Sequence, residues 1–253
     1  MDQFETFLQL HNAETPVLIA NIWDAGSAKL LEQNGAKAIA TSSAALALSL
    51  GYEDGENIPF ELMLETVKRI KNNISLPLSV DMERGFSNSI AGIVQNIERL
   101  CDIGVAGINI EDSTASKSLQ PMEAFEKTIF SIASHLSQKN LKLFINARTD
   151  GFLLKVPNAL VETERRIKLY ENAGANGIFV PFITEEADIK TVVKATSLPV
   201  NVLAVPGLRG LTQLSSLGVK RISLGSFLYR SINREVINKI NKINADQSLD
   251  TLF

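Results

Sequence analysis

Short apolar runs rich in β-branched residues alternate along the chain with longer segments in which apolar positions recur every three to four residues. The runs predict strands at 17–21, 38–42, 78–81, 107–111, 143–147, 177–180, 200–203 and 221–224. The longer segments predict helices at 27–34, 60–72, 89–103, 122–138, 158–172, 185–196, 211–217 and 227–243. Eight strands that alternate with helices favour a closed parallel (β/α)8 TIM barrel. An open doubly wound sheet is the alternative.

The turns that lead into the strands support a barrel built from repeated quarters. A glycine precedes each even-numbered strand, where it can end the preceding helix in a left-handed conformation. These glycines are Gly35, Gly104, Gly174 and Gly218. A proline leads instead into strands one, three and seven, so two turn types alternate along much of the chain.

Composition is typical of a single globular domain spanning 1–253. The chain has 253 residues, 45% of them hydrophobic, and a net charge of −3, which does not suggest nucleic acid as a partner. No apolar segment is long enough to predict a membrane span, and residues 1–10 do not resemble a signal peptide. The single cysteine, Cys101, fits a reducing compartment. We therefore expect a cytoplasmic protein.

Polar residues collect at the carboxyl ends of the predicted strands, which in a barrel form one face. They include Asn21, Asp24, Ser42, Ser43, Asp81, Glu83, Asn109, Glu111, Asp112, Asn146, Arg148, Asp150 and Asn201, and the aromatic Trp23 lies among them at the end of strand one. The opposite ends carry glycine, proline and leucine. This sorting predicts a functional site at the carboxyl-terminal face.

Asp81 and Glu83 are the most informative pair in this set. On a continuing strand, residues two apart point the same way, so the pair would present two carboxylates to one ion. Mg²⁺ uses one or two protein carboxylates and keeps its other positions for water and substrate. The pattern predicts a site for Mg²⁺, with Mn²⁺ as the alternative ion.

Five segments resemble motifs of the phosphoenolpyruvate mutase/isocitrate lyase superfamily and stand in that family's order. They are 21–28, 41–44 together with 50–54, 80–85, 107–112 and 145–150. The resemblance implies an α/β barrel that binds Mg²⁺ and an α-keto acid or its enolate, and that makes or breaks a C–C or P–C bond.

The same resemblance implies roles for four acidic residues. Asp81 matches the direct metal ligand, and Glu83 and Glu111 match ligands that act largely through metal-bound water. Asp54 matches the acid that anchors this water network. Glu83 stands where the phosphonomutases usually have aspartate.

Substrate contacts are expected from the other strand ends. Candidate substrate-binding residues are Trp23, Ser42, Ser43, Ala44, Arg148 and Asn201. By resemblance, the segment 42–44 holds the substrate carboxylate and Arg148 reaches the substrate's oxygens. An arginine can bind a carboxylate through a bidentate fork, which a lysine cannot match. Together with Asp54 and Lys117, Arg148 is also a candidate catalytic residue.

The loop at 113–121, after the fourth strand, separates the subfamilies. It lacks the Lys-(Lys/Arg)-Cys-Gly-His segment of the isocitrate-type lyases, and Cys101 lies in a predicted helix where a structural thiol is expected. Lys117 followed by Ser-Leu is similar to phosphonomutases and phosphonopyruvate hydrolases, without their asparagine. Lys117 would neutralise a phosphonate or a second carboxylate. We predict C–C lyase or decarboxylase chemistry, with phosphonomutase or phosphonopyruvate hydrolase activity as the alternative.

Two further classes are possible. Loops 206–210 and 225–226 could form a sugar-phosphate cradle, but their glycines are better explained as ordinary turns. A non-catalytic ligand-binding barrel is disfavoured because converging acids destabilise a protein unless a cation offsets them. Resemblance also implies a homo-dimer or homo-tetramer, with the helical segment 227–253 exchanged between subunits.

Overall fold

A computed structural model of the protein describes residues 2–208 and 210–253. Eight parallel strands close into a barrel in chain order, with the last strand paired to the first. The strands are β1 Val17–Ile22, β2 Ile39–Thr41, β3 Leu78–Asp81, β4 Gly107–Glu111, β5 Phe144–Arg148, β6 Gly177–Val180, β7 Val200–Leu203 and β8 Arg221–Ser223. The predicted (β/α)8 fold is confirmed.

Helices surround the barrel and connect its strands. They are α1 Gln3–Asn12, α2 Ala25–Gln33, α3 Ser43–Ser49, α4 Phe60–Lys71, α5 Ile90–Asp102, α6 Met122–Gln138, α7 Ala159–Asn172, α8 Glu186–Lys194, α9 Leu211–Ser216 and α10 Phe227–Asp246, followed by a 3-10 turn at Asp250–Leu252. The sequence pattern did not predict α1 or the short α3. The Ser42 side chain caps α3 by accepting a hydrogen bond from the Ala45 N–H at 3.3 Å.

Helix α1 packs beneath the amino-terminal end of the barrel. Its Phe7 is fully buried among the first residues of several strands, including Val17 and Phe144. The His11 ring stacks on Phe144 with centroids 4.3 Å apart. This end is therefore filled by apolar side chains, and the opposite, carboxyl-terminal end carries the acidic residues.

The C-terminal helix α10 lies against β1 but buries none of its side chains fully. Its Tyr229 ring contacts Trp23 edge-on, with centroids 5.0 Å apart. Ile232, Val236 and Ile240, spaced four residues apart, remain between 42% and 55% exposed. An apolar stripe thus runs along the outer face of α10. Within the described residues, no helix is long and apolar enough to cross a membrane.

Candidate active site

Two adjoining cavities open at the carboxyl ends of the strands. The first, here called the acidic chamber, has a volume of about 690 Å³ and is lined by Asp54, Glu83 and Glu111. The second, the apolar chamber, has a volume of about 490 Å³ and lies toward β6, β7 and α10. Ser43, Asp54, Arg148 and Leu153 line both chambers. A ligand held at these shared residues can therefore contact both sides.

Asp81 stands at the end of β3 and is held by the neighbouring strand end. The Ser43 hydroxyl donates to Asp81 Oδ2 at 2.9 Å, and the Asp81 N–H donates to the Thr41 hydroxyl at 2.9 Å. Asp81 Oδ1 is buried and has no hydrogen-bond partner among the described residues. Burial raises the pKa of Asp81, and the charges of Glu111 and Asp54 raise it further, against the lowering effect of Arg148.

The backbone conformation that places Glu83 at the site differs from the expected strand. β3 ends at Asp81, and Glu83 adopts a left-handed backbone with φ of 46°, so the period-two argument for the pair is wrong. Its side chain is nevertheless buried and lines the acidic chamber. Burial, followed by the charges of Asp81 and Asp54, raises the pKa of Glu83 to about 8.

Arg148, at the end of β5, bridges two acids. Its Nε and Nη2 donate to the two oxygens of Asp150 at 2.6 and 3.1 Å, and its Nη1 lies 3.0 Å from Glu111 Oε2. Burial would lower the pKa of Arg148, but Glu111, Asp150 and Asp81 outweigh it and raise that pKa. The bidentate fork expected for a substrate is thus occupied by Asp150, and two of the five guanidinium N–H groups remain.

The junction of the two chambers, between Asp81 on one side and Glu83 on the other, has the chemistry of a site for a hard cation. Asp81 and Glu83 are buried beside further carboxylates that raise their pKa values, and a cation would relieve that repulsion. The unpartnered Asp81 Oδ1 is a vacant hard ligand. Within 2–208 and 210–253, no group of three acidic, histidine or cysteine side chains is close enough to hold an ion alone. The buried acids and the unpartnered Asp81 oxygen fit Mg²⁺, which uses one or two protein carboxylates and keeps several waters.

Two expected substrate contacts lie outside the cavity walls. Trp23 packs against Tyr229. It is not among the described residues that line either chamber. Asn201 is buried below the apolar chamber, where its Oδ1 accepts a hydrogen bond from the Ser223 hydroxyl at 3.2 Å. Ser42, Ser43 and Ala44 do line the apolar chamber, as the sequence predicted. Ser42 uses its hydroxyl oxygen to cap α3.

A buried arginine that the sequence did not single out holds two residues at the bottom of the apolar chamber. Arg221, the first residue of β8, is fully buried inside the barrel. Its Nη2 donates to Asn109 Oδ1 at 3.4 Å and its Nε to the Ser223 hydroxyl at 3.2 Å. Asn109 and Ser223 line the apolar chamber. Asn109 Oδ1 also accepts from Asn146 Nδ2 at 2.8 Å, so the Asn109 amide is fixed from below.

A second buried network ties the site loops to α7. Asp112 is fully buried and accepts hydrogen bonds from Arg166 Nη1 at 3.0 Å and from the Tyr170 hydroxyl at 2.7 Å. Its other oxygen accepts from the backbone N–H of Asp150 at 3.0 Å. Asp112 therefore anchors the segments that carry Glu111 and Arg148. Its place at a strand end suggested chemistry, but its contacts are structural.

Comparison with known proteins identifies the family. Residues 7–244 match the family model described as phosphoenolpyruvate phosphomutase. The chain belongs to the phosphoenolpyruvate phosphomutase family. It is thus a member of the phosphoenolpyruvate mutase/isocitrate lyase superfamily of enzymes, as the motifs predicted.

Named relatives of this family member differ in their reactions. The 2-methylisocitrate lyase of Escherichia coli is 30% identical over 194 residues, which cover 74% of this chain and 64% of that enzyme. The oxaloacetate decarboxylase of Paraburkholderia xenovorans is 25% identical, covering 86% of this chain and 73% of that enzyme. A crystal structure of a proposed phosphonomutase from Burkholderia cenocepacia superposes with a TM-score of 0.91 at 34% identity, covering 95% and 100% of the two chains.

The loop after β4 forms a compact turn beside the acidic chamber. Ser113 and Leu119 form an antiparallel bridge, and Lys117 takes a left-handed backbone with φ of 58° at the tip. Lys117 lines the acidic chamber. Cys101 lies in α5 with a half-buried thiol whose pKa burial raises to about 12, which fits an unreactive cysteine.

The suggested sugar-phosphate cradle is divided between described and undescribed residues. Pro206, Gly225 and Ser226 line the apolar chamber. Arg209, which also fell within this segment, lies outside the described residues. Gly207 and Leu208 line a separate pocket between α8 and α9, so the two loops do not form one cradle.

Proposed function

We propose that this protein is a Mg²⁺-dependent enzyme that acts on an α-keto acid or a related small dicarboxylate through an enolpyruvate-type intermediate. The observation that carries the proposal is the meeting of Asp81, Glu83 and Glu111 with Arg148 at one end of the barrel. These neighbouring carboxylates raise one another's pKa, which a cation would offset, and the Asp81 oxygen without a partner would be a ligand for one. Mn²⁺ would substitute for Mg²⁺, because both prefer oxygen ligands.

Asp81 is the direct ligand in this proposal, with Glu83 and Glu111 in support and Asp54 at the chamber wall. When bound, Mg²⁺ would act as a Lewis acid opposite the charge that develops on the keto oxygen. Arg148 stabilises the same charge with its remaining N–H groups, held in place by Glu111 and Asp150. The fixed positions of these groups mean that little reorganisation accompanies the reaction.

In this proposal, residues 42–44 and the Asn109 amide beneath them bind the carboxylate of the substrate. Asn109 presents its amide oxygen downward to Arg221 and Asn146, which leaves its Nδ2 as the donor toward the cavity. Ser43 is bound to Asp81, so a substrate at this wall lies directly beside the proposed ion. Two binding groups for one small acid thus converge on the shared residues of the two chambers.

We favour cleavage of a C–C bond, by a lyase or decarboxylase reaction, over P–C chemistry. Two relatives with this chemistry in their names match most of the chain, at 30% and 25% identity. The isocitrate-type lyases use a cysteine in the loop after β4, and Ser113–Leu119 contains none. The reaction proposed here therefore has no thiol acid.

Phosphonomutase or phosphonopyruvate hydrolase activity is the second candidate. Lys117 at the acidic chamber is the observation in its favour, because a cation there would neutralise a phosphonate. The structural similarity to a proposed phosphonomutase adds to it. A binding barrel without catalysis is the third candidate.

One screen separates these candidates. Purified protein is incubated with Mg²⁺, Mn²⁺ or a chelator, and pyruvate release is followed from oxaloacetate, substituted malates and phosphonopyruvate. Conversion of phosphoenolpyruvate to phosphonopyruvate is followed in parallel by ³¹P NMR. We expect cation-dependent keto acid release from a carbon substrate. Release from phosphonopyruvate alone, or a phosphonate signal, would favour P–C chemistry, and no turnover of any compound would favour the binding barrel.

Asp81→Asn is the matched test of the metal mechanism. It keeps the shape of the side chain and removes its charge, so turnover is expected to fall by at least about 100-fold. Asp102→Asn, an exposed acid at the end of α5, is the control and is expected to retain full activity. Unchanged turnover in a folded Asp81→Asn variant would contradict the proposed role of the ion.

We also propose that a second copy of the chain covers α10, giving a homo-dimer or homo-tetramer. The exposed stripe of Ile232, Val236 and Ile240 supports this, because contiguous apolar surface of this kind marks an association site. Light scattering is expected to give two or four times the chain mass of 27.6 kDa. Val236→Asp is expected to shift the mass toward the monomer, and Glu235→Gln beside it is the control.

A further inference from the structure

The apolar chamber begins where the polar contacts of the site end. The guanidinium carbon of Arg148 lies 5.7 Å from the centre of the Phe179 ring, and both residues line this chamber. A small acid that reaches Arg148 therefore has an aromatic surface directly beside it. Any substituent on that acid must extend along the Phe179 side.

The wall of this chamber away from the acids is mostly apolar, with Ser226 and Arg230 as its polar members. The apolar side chains are those of Leu153, Phe179, Phe182, Leu203, Pro206 and Phe227. The volume of about 490 Å³ greatly exceeds what a pyruvate unit needs. Six non-hydrogen atoms occupy at most about 180 Å³, even at the roughly 30 Å³ that each water takes up in the liquid. Most of the chamber is thus unused by the keto acid itself.

Phe182 is the most unusual part of this wall. It takes a left-handed backbone with φ of 63°, which a bulky residue rarely adopts, and its side chain is 43% exposed. The neighbouring Pro181 and Ile183 are buried and hold the backbone in place. Strained residues of this kind concentrate where a ligand is clamped. The strain places an aromatic ring at the chamber mouth, where an apolar group can cover it.

We propose that the substrate is an α-keto acid unit carrying an aliphatic substituent longer than a methyl group, and that this substituent packs against Phe182 and Phe227. The inference rests on the proposed function, because the polar contacts at Arg148 and Asn109 hold the acid end. It goes beyond the proposed function by identifying the rest of the substrate as an aliphatic chain. An acid without an alkyl substituent, such as oxaloacetate, would leave the Phe182 and Phe227 rings uncovered.

The test measures binding rather than turnover. The protein with Mg²⁺ is titrated calorimetrically with oxalate, and then with pyruvate, 2-oxobutanoate, 2-oxopentanoate and 2-oxohexanoate. We expect the affinity to rise about fourfold for each added methylene, which corresponds to about 0.8 kcal/mol per buried CH₂. Oxalate binding with a flat or falling series would overturn this inference and leave the proposed function standing. Failure of every compound to bind, oxalate included, would overturn both.

Two wall variants locate the substituent. Phe182→Ala and Phe227→Ala are each expected to reduce the gain per methylene while leaving oxalate affinity within about twofold, since the side chains touch the substituent alone. Both rings are exposed in the free protein, so their loss removes little core packing. Phe130→Ala, an exposed ring on α6 at 60% exposure, is the control. A chain-length gain that persists in both wall variants would overturn the assignment.

Discussion

The hydroxyl of Ser43 and the carboxylate of Asp81 are joined by a 2.9 Å hydrogen bond that crosses from the start of α3 to the end of β3. The Ser43 N–H also approaches the same oxygen, at 3.4 Å. One oxygen of Asp81 is thereby fixed, and the other has no partner among the described residues. Ser43 thus orients the carboxylate that the proposed function assigns to Mg²⁺.

Removing this hydroxyl should weaken the cation site. Ser43→Ala is expected to lower Mg²⁺ affinity about 10- to 100-fold, the usual cost of losing a partner that orients a metal ligand. The activating concentration of Mg²⁺, or a calorimetric titration, measures the effect. Ser49→Ala, at the other end of α3, removes a hydroxyl that bonds only to a helix carbonyl and should leave the affinity unchanged. Equal Mg²⁺ affinity in Ser43→Ala and wild type would contradict the orienting role.

The buried Asp112–Arg166 pair should contribute chiefly to stability. Arg166→Met leaves the Asp112 carboxylate buried with one fewer donor, and breaking a buried pair typically costs about 3–5 kcal/mol. Urea unfolding measures the free energy of unfolding. Arg99→Met, which removes an exposed ion pair with Glu61, is the control and should change little. A fully stable Arg166→Met variant would show that Asp112 finds other partners.

The fold was predictable because its signals are local. Runs of β-branched residues set the eight strands to within one or two residues, and the β3, β4, β6 and β7 bounds match the structure. Helix α3 was missed because it is a single short segment, 43–49, immediately after a strand, where the apolar pattern gives no helical period. Helix α1 spans only ten residues, and its apolar positions Phe4, Phe7 and Leu8 give too short a helical period to stand out from the sequence.

Only the site residues at strand ends or within motifs could be predicted from the sequence. Parallel strands bring their ends together, so Asp81, Glu111 and Arg148 were expected to meet, and they share one chamber system. The left-handed turn at Glu83 depends on tertiary packing and contradicted the simple alternation. Arg221 was missed because it stands at the start of a strand, and only the closed barrel carries its long side chain up to Asn109.

Acid sensitivity should follow from His11 in α1. Its Nδ1 donates to the Phe7 carbonyl at 2.8 Å, and burial, followed by the charge of Arg221, lowers the pKa of His11 from 6.5 to about 3. Between these values the unfolded chain binds a proton that the folded protein does not. Stability from the neutral ring is therefore complete above pH 6.5 and declines as the pH falls, by up to about 1.4 kcal/mol per pH unit.

His11→Met tests this linkage. The stability lost between pH 7.5 and pH 5 should be smaller in the variant by about 2 kcal/mol, whatever the variant's stability at pH 7.5. Urea unfolding at the two pH values provides the comparison. An identical loss in both proteins would mean that the folded protein accepts the proton on His11.

Arg221 should control ligand binding from beneath the cavity. Burial lowers the pKa of Arg221 to about 9, with Asp81 opposing, so the side chain remains charged at neutral pH. Arg221→Met leaves the Asn109 amide held by Asn146 alone and frees Ser223 from its donor. Loss of a charged hydrogen bond costs about 1.5–3 kcal/mol, so oxalate binding with Mg²⁺ should weaken by at least about tenfold.

Lys220→Met, which removes the neighbouring cation bonded to the Ala13 carbonyl, is the control and should bind oxalate normally. Thermal unfolding of both variants shows whether weaker oxalate binding comes from a displaced Asn109 or from loss of the folded structure. A folded Arg221→Met protein with wild-type oxalate affinity would show that Asn109 holds its orientation without the arginine.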